Sequence, residues 1–446
     1  MNDFRLMVLK RIGHVEKLEY KAFVALYSGS QNKRYQRAVD SLAIAPVTDS
    51  DAHIDAFIKA EKVFSTESVT VTTTTESFVV EGKEDAAPRG ISPRSPRYNV
   101  ELGRYLRPLE HVIYKVIGKI FGGKTISKGR NAVEQAQDLK HCMDSFGDPV
   151  AVGLDASRFD QHVSMEALRF EHEFYMGVFP NDKFLKWLLK LQLNNKITFL
   201  VRNGKVKIKI KGKRMSGDMN TGLGNCILMC AMIWSYARDT NIRVRLYNNG
   251  DDCVVVMERR DVEKFSAGLR EWFLRYGFNM KVEKPVDDFE QIEFCQTKPV
   301  WNGKEYVMCR KYPICIEKDQ VSLLPIDSEK AMLNYFIDLG NCGQALASGI
   351  PILSEFYAMF QRWGAGAKGF NKDHKLYTGM EHLAVRMTGE YNQITNRARH
   401  SFFIAFGVTP MEQRSWELRY ARAERPSFNP VVQHRLTRPI QFYQLP

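Results

Sequence analysis

Apolar and polar positions divide the chain into recognisable elements. Val150 to Leu154 is a short apolar run that reads as a buried strand. After it, Phe159, Val163, Leu168 and Phe170 stand among the apolar positions of a helical stretch. Val244 and Leu246, then Val254, Val255 and Val256, flank Asn249-Gly250-Asp251 and predict a strand, a tight turn and a returning strand. Lys196 to Lys213 reads as a hairpin turning at Asn203-Gly204. In its second arm Lys205, Lys207, Lys209 and Lys211 alternate with Val206, Ile208 and Ile210, which predicts an apolar face inward and a row of cations outward. Cys226 to Trp234 is apolar all round and predicts a buried helix. Residues 1–60 read as helical with a turn at Tyr27 to Ser30, and residues 63–80, with Thr72 to Thr75 in a row, as a strand or exposed loop. Gly82 to Pro96 is Gly/Pro-rich and irregular. Beyond residue 300 the pattern turns helical.

Composition narrows the class. A chain of 446 residues suggests several packed subdomains, and 44% hydrophobic content is that of a globular protein. A net charge of +13 and a pI near 9.2 suit a polyanionic partner. Eight cysteines include no Cys-x-x-Cys pair, and Cys226 and Cys230 lack a nearby His, so reduced thiols and no zinc site are expected. With no signal peptide and no long apolar span, the chain is expected not to anchor itself in a bilayer by a helix. Lys33 and Arg34 lie in the basic stretch Gln31 to Arg37, readable as a template contact or as a solvated loop before a helix.

The candidate chemistry lies in three segments. Asp251 and Asp252 are adjacent carboxylates at a Gly250 turn, where mutual repulsion calls for a cation beside them. Alone, they would be a solvated hairpin tip. Asp155 closes the Val150 to Leu154 run, so a strand fixes its direction; alone it could be a helix N-cap. Ser216 to Asn225 holds three glycines among small polar residues and predicts a loop able to approach a substrate closely, or a plain turn capped by Asn220 and Asn225.

Together these segments resemble motifs A, B and C of viral RNA-dependent RNA polymerases. Asp155 and Asp160 match the Asp-x4-Asp of A; Ser216, Gly217, Thr221 and Asn225 match the Ser-Gly-x3-Thr-x3-Asn of B; Gly250-Asp251-Asp252 matches C. Gln291 to Thr297 is similar to the primer-grip motif of the tombusvirus and carmovirus group, and Ser92 to Asn99 to the basic F motif. The resemblance implies an α+β, right-hand polymerase with fingers, a palm of small antiparallel sheet packed on helices, and a helical thumb. Residues 1–149 would be fingers, 150–180 palm, 181–214 a fingers insertion with the basic hairpin, 215–300 palm and 301–446 thumb. It further implies two Mg²⁺ ions, with Mn²⁺ as a substitute, held by Asp155, Asp251 and Asp252. Arg94 and Arg97 are candidates for the nucleoside triphosphate, with Ser216 and Gly217 placing template and nucleotide. Asp160, Thr221 and Asn225 would sense the ribose 2′-hydroxyl. Lys284, in preference to Lys281, would protonate the leaving pyrophosphate, and Lys33, Arg34 and the Lys205 to Lys211 row would contact RNA. Expected partners are template and product RNA, ribonucleoside triphosphates and a viral membrane-anchoring replication protein, at membrane-associated replication complexes in the host cytoplasm. In that group the polymerase is usually the distal part of a longer read-through replicase. A reverse transcriptase lacks the Ser-Gly-x3-Thr-x3-Asn loop. A non-catalytic RNA-binding module would not need three carboxylate-bearing motifs.

Overall fold

The computed structural model describes residues 1–59, 69–72, 77–80, 89–201, 204–322, 326–370, 380–387, 391–428 and 440–441. It is mixed α+β and divides into two compact units. The first comprises Met1–Lys59, Pro88–Lys128 and Cys142–Pro285; the second comprises Ala60–Ala87, Gly129–His141 and Val286–Pro446. All three carboxylate-bearing segments fall in the first unit.

In that unit helix α1 (Gly29–Ile44) carries Lys33 and Arg34. Strands β1 (Ile54–Ile58) and β2 (Gly90–Ile91) precede the long helix α2 (Pro96–Phe121). The Ser95 hydroxyl starts α2 by accepting the Arg97 amide at 3.1 Å, and Pro96 fills the first turn, where its missing N–H costs nothing. Gly122 ends the helix at a φ of 85°, a left-handed conformation that glycine takes without strain. Next come β3 (Pro149–Ala156), the single-turn α3 (Phe159–His162), α4 (Met165–Val178), β4 (Asn194–Val201) and β5 (Gly204–Lys211). They lead to α5 (Thr221–Thr240), β6 (Arg245–Asn248), β7 (Asp252–Glu258) and β8 (Met280–Val282).

Two sheets result. The order β8-β3-β7-β6 is antiparallel throughout. Cys253 to Met257 are all buried, so β7 is covered on both faces, which explains its unbroken β-branched run. Helix α5 joins the same core with Leu223 and Cys226 to Ile233 buried, as its all-round apolar sequence requires. The second sheet has the order β2-β1-β4-β5, with β1 parallel to β4 and Ile54 opposite Ile197. Its small core is Ile54, Ala56, Ile197 and Met215.

Several expectations change. Residues 1–60, expected to be helical, contain strand β1. The helix expected over 226–234 begins at Thr221, so Gly222 and Gly224 lie in its first turn and the loop is confined to Ser216–Asn220. The hairpin of β4 and β5 forms, but Val206 and Ile208 are 45% and 38% exposed, because β5 is a sheet edge with no layer over it. Beyond residue 300 the helical pattern is preceded by the antiparallel pair β9 (Thr297–Trp301) and β10 (Tyr306–Arg310). Thr73 to Thr75, Gly82 to Pro88 and Asn203 lie outside the described residues.

In the second unit α6 (Glu329–Ala347) and α7 (Leu353–Trp363) pack through Phe336 against Phe360 and Trp363. Among the described residues no helix is long and apolar enough to cross a membrane.

Candidate active site

The carboxylates meet at the ends of β3 and β7. Asp155 stands directly opposite Asp252 in the ladder, and the Ala156 amide donates to the Asp251 carbonyl at 3.4 Å. Directly opposite residues of an antiparallel pair present their side chains on one face. The turn before β7 is built by Asn248, which is wholly buried. Its Nδ2 donates to the Gly250 carbonyl at 2.7 Å and its Oδ1 accepts the Gly250 amide at 3.1 Å. Gly250 has a φ of 102°, which a side chain would resist. The loop at Thr125 to Ser127 straps this turn from outside: the Asn248 amide donates to Thr125 at 2.7 Å, and the Ser127 amide to Asn248 at 3.0 Å. The tip carrying Asp251 is therefore rigid before any ligand arrives.

Its electrostatics are unfavourable as they stand. Desolvation in the cleft, then the Asp160 and Asp155 carboxylates, push the Asp251 carboxyl above its ordinary range, against its own backbone hydrogen bond and the Lys128 cation. Among the described residues no group of three or more His, Cys, Asp or Glu side chains closes to metal-ligand distance. The donor set is nevertheless all carboxylate oxygen, the chemistry of a hard cation, and a divalent ion would relieve the repulsion at Asp251.

Asp160 lies in α3, five residues after Asp155, and its Oδ1 accepts from the Asn225 amide nitrogen at 2.8 Å. The two halves of the expected sugar-sensing pair are thus in contact. Thr221 is used differently: its hydroxyl points to the Met215 and Asp218 carbonyls at 2.8 and 3.0 Å and staples its own loop. Ser216 accepts the Ser92 amide at 3.1 Å, and Gly217 pairs with Pro93 so closely that a Cβ would meet the Ser92 carbonyl at 2.9 Å.

The structure corrects the role expected of Arg94. Its side chain is 1% exposed and clasps Asp218, with further bonds to the Ala52 carbonyl at 2.7 Å and Asn195 at 2.6 Å. It cannot also offer a fork to a triphosphate; it locks the 92–94 segment to the Ser216–Asn220 loop. Arg97 is mostly spent on Asp51, Ser41 and the Ala45 and Pro46 carbonyls. Its remaining surface lines a cavity of about 490 Å³ with Lys33, Arg34 and Arg37, so three of the expected basic residues do converge. Lys205, Lys207, Lys209 and Lys211 stand exposed along β5, with Lys196 opposite Lys209.

The register separates the two lysine candidates. Lys281 is directly opposite Asp155, whereas Lys284 lies beyond the last paired residue, Val282. Lys281, passed over in the sequence, is the one brought to the carboxylate face. Reading the sequence also missed Asn248, Asp218, Glu171 and Arg214. Only Asn248 carried a local signal, an Asx residue two before a glycine.

The sequence profile of the family described as Viral RNA dependent RNA polymerase matches residues 1–427. The RNA-directed RNA polymerase of Tobacco necrosis virus (strain A) is 43% identical over 421 residues, 94% of this chain and 56% of the relative. That of Cucumber necrosis virus is 41% identical over 429 residues, 96% and 50% respectively. That of Maize chlorotic mottle virus is 39% identical over 428 residues, 96% and 43%. The chain spans about half the length of these curated relatives.

Proposed function

The chain belongs to the viral RNA-dependent RNA polymerase family, and from that premise we propose that it copies RNA by transferring nucleotides from ribonucleoside triphosphates. The observation that carries this reading is the pairing of Asp155 with Asp252 beside Asp251 at the ends of two central strands, with the Asp160–Asn225 contact next to it. A reverse transcriptase would not need that contact, and a plain RNA-binding module would need neither.

On this reading the first unit supplies fingers and palm of a right hand, and helices of the second unit supply the thumb. Asp155, Asp251 and Asp252 would hold two Mg²⁺ ions, or Mn²⁺ in their place, which when bound lower the pKa of the primer 3′-hydroxyl and neutralise charge on the transferred phosphoryl group. The rigid Asn248 turn keeps the carboxylates preorganised. Lys281, opposite Asp155 in the ladder, would give a proton to the leaving pyrophosphate. Asp160 and Asn225 present the hydrogen-bonding groups for a 2′-hydroxyl. Lys33, Arg34, Arg97 and the β5 lysines give phosphates a cationic path. In cells the chain would work in the host cytoplasm at membrane-bound replication complexes, recruited by a viral partner or an upstream segment.

The test is Asp251→Asn, which keeps shape and removes charge. Primed synthesis on an RNA template with Mg²⁺ should fall by at least about a hundredfold, the scale on which metal sites respond to loss of supporting groups. RNA affinity should change little. Substantial Mg²⁺-dependent synthesis by this variant would overturn the assignment.

A further inference from the structure

Behind the Asp160–Asn225 contact lies a fully buried ion pair that the catalytic reading does not use. Arg214 and Glu171 have no exposed side-chain surface. Arg214 Nη2 donates to Glu171 Oε2, and Arg214 Nε donates to Asn225 Oδ1 at 3.0 Å. The Arg214 backbone amide donates to the Asp160 carbonyl at 2.9 Å. One residue therefore grips both members of the sugar-sensing pair, one through its side chain and the other through its main chain.

The chemistry of the donors fixes the Asn225 amide. A guanidinium can only donate, so it holds the amide oxygen; a carboxylate can only accept, so the amide nitrogen must face Asp160. Without Arg214 the amide could turn over and set its oxygen against the carboxylate. Glu171 in turn is fixed on α4, where its Oε1 accepts from Asn220 at 2.6 Å and from the Tyr175 hydroxyl at 2.7 Å. Asn220, the residue before α5, is itself held by Gln192 at 2.8 Å.

Two details argue that this is more than charge neutralisation. Arg214 Nη1 has no hydrogen-bond partner among the described residues. A lysine could also have neutralised Glu171, so charge alone does not account for an arginine with an unpaired buried donor. What only the fork supplies is reach to Glu171 and Asn225 at once. Gly224 also lies so close to both Glu171 and Arg214 that a Cβ there would collide with them, so the helix has been kept bare to seat the pair.

We propose that Arg214, braced by Glu171, is the positioning residue of sugar selection: it holds the Asn225 amide and the Asp160 segment in the one arrangement that recognises a 2′-hydroxyl. The proposal rests on the sugar-sensing reading of Asp160 and Asn225.

Its test is the ratio of kcat/KM for CTP to that for dCTP, each measured on one RNA template with Mg²⁺. Arg214→Lys keeps a cation for Glu171 and loses the Nε donor; the ratio should fall by about tenfold, the worth of one charge-assisted hydrogen bond, while CTP incorporation falls less. Glu171→Gln keeps the shape and loosens the brace; the ratio should fall in the same direction by a smaller factor. If Arg214→Lys does not melt cooperatively, Glu171→Gln carries the test alone. In an Asn225→Ala background, Arg214→Lys should leave the ratio where Asn225→Ala put it, because the group it positions is gone. The proposal is overturned if Asn225→Ala loses discrimination while Arg214→Lys and Glu171→Gln keep the parental ratio, or if Arg214→Lys lowers the ratio equally without Asn225. Should Asn225→Ala itself keep the parental ratio, the sugar-sensing reading is what fails, and the positioning role falls with it.

Discussion

Lys281 and Lys284 differ by three positions in sequence and by their relation to the carboxylates. The β8–β3 ladder fixes Lys281 opposite Asp155, so its ammonium shares the face on which the 3′-end and triphosphate would meet. Lys284 lies past the end of that ladder, in the exposed stretch before Pro285. General acid catalysis contributes about 10²–10⁴-fold. Lys281→Ala should therefore lower single-turnover incorporation by about a hundredfold. Lys284→Ala should remain within a few-fold of the parent. The reverse pattern would restore Lys284 and sink the ladder argument. Why the sequence could not separate the two is plain at this scale: motif spacing counts residues, and only a register says which of two nearby lysines shares a face with a residue more than a hundred positions earlier. Arg94 teaches the same lesson. Its residue type announced a phosphate ligand, but its partner Asp218 lies 124 positions away, and that distant carboxylate turns it into a buried strut.

Strand β5 is the element whose sequence promised most and whose setting changed the promise. Alternating Lys with Val and Ile predicted one buried face. Instead the strand is a sheet edge, both faces open over most of its length, because the small core of its sheet, Ile54, Ala56, Ile197 and Met215, includes none of its residues. The row of cations survives, and Lys196 opposite Lys209 adds to it. Changing Lys207 and Lys209 to Gln removes a like-charge pair from the ladder, so folding should not suffer. If both lysines meet phosphate, RNA affinity should drop and the slope of log affinity against log salt should flatten by roughly 1.4–1.8, about 0.7–0.9 per contact. Filter binding of one RNA across a salt series measures both. A weaker affinity at unchanged slope would assign these lysines to blunting the sheet edge. Legibility among the elements follows the range of their contacts. The strands around Asp155 and Asp251 were readable because continuous apolar runs declare burial by themselves. Strand β1 was not, because its five residues are held extended by distant partners, β2 and, some 140 positions on, β4. The first turn of α5 was misread as loop because Gly222 and Gly224 break the local pattern, and the reason for Gly224 is an ion pair that no neighbouring residue reveals.

At the scale of the whole molecule, charge and length bear on where the chain works. A net charge of +13 on 446 residues favours polyanions of any kind, including RNA and anionic lipid surfaces. Yet among the described residues no helix could span a bilayer, and the matched relatives are about twice as long as this chain. On the function proposed above, recruitment to membranes would come from a partner or an additional segment, and this chain alone would meet membranes through screened surface charge. Such contacts weaken over a Debye length of about 10 Å at 0.1 M salt and 3 Å at 1 M. Expressed alone in a eukaryotic cell, the chain should partition into the soluble or RNA-bound fraction, and any material pelleting with membranes should be released by nuclease and 1 M salt. Co-expression with the anchoring replication protein of a related virus should move it to the membrane pellet and make it resistant to the same wash. Pelleting of the isolated chain that survives both treatments would overturn this expectation, since only buried apolar surface withstands the loss of electrostatic attraction.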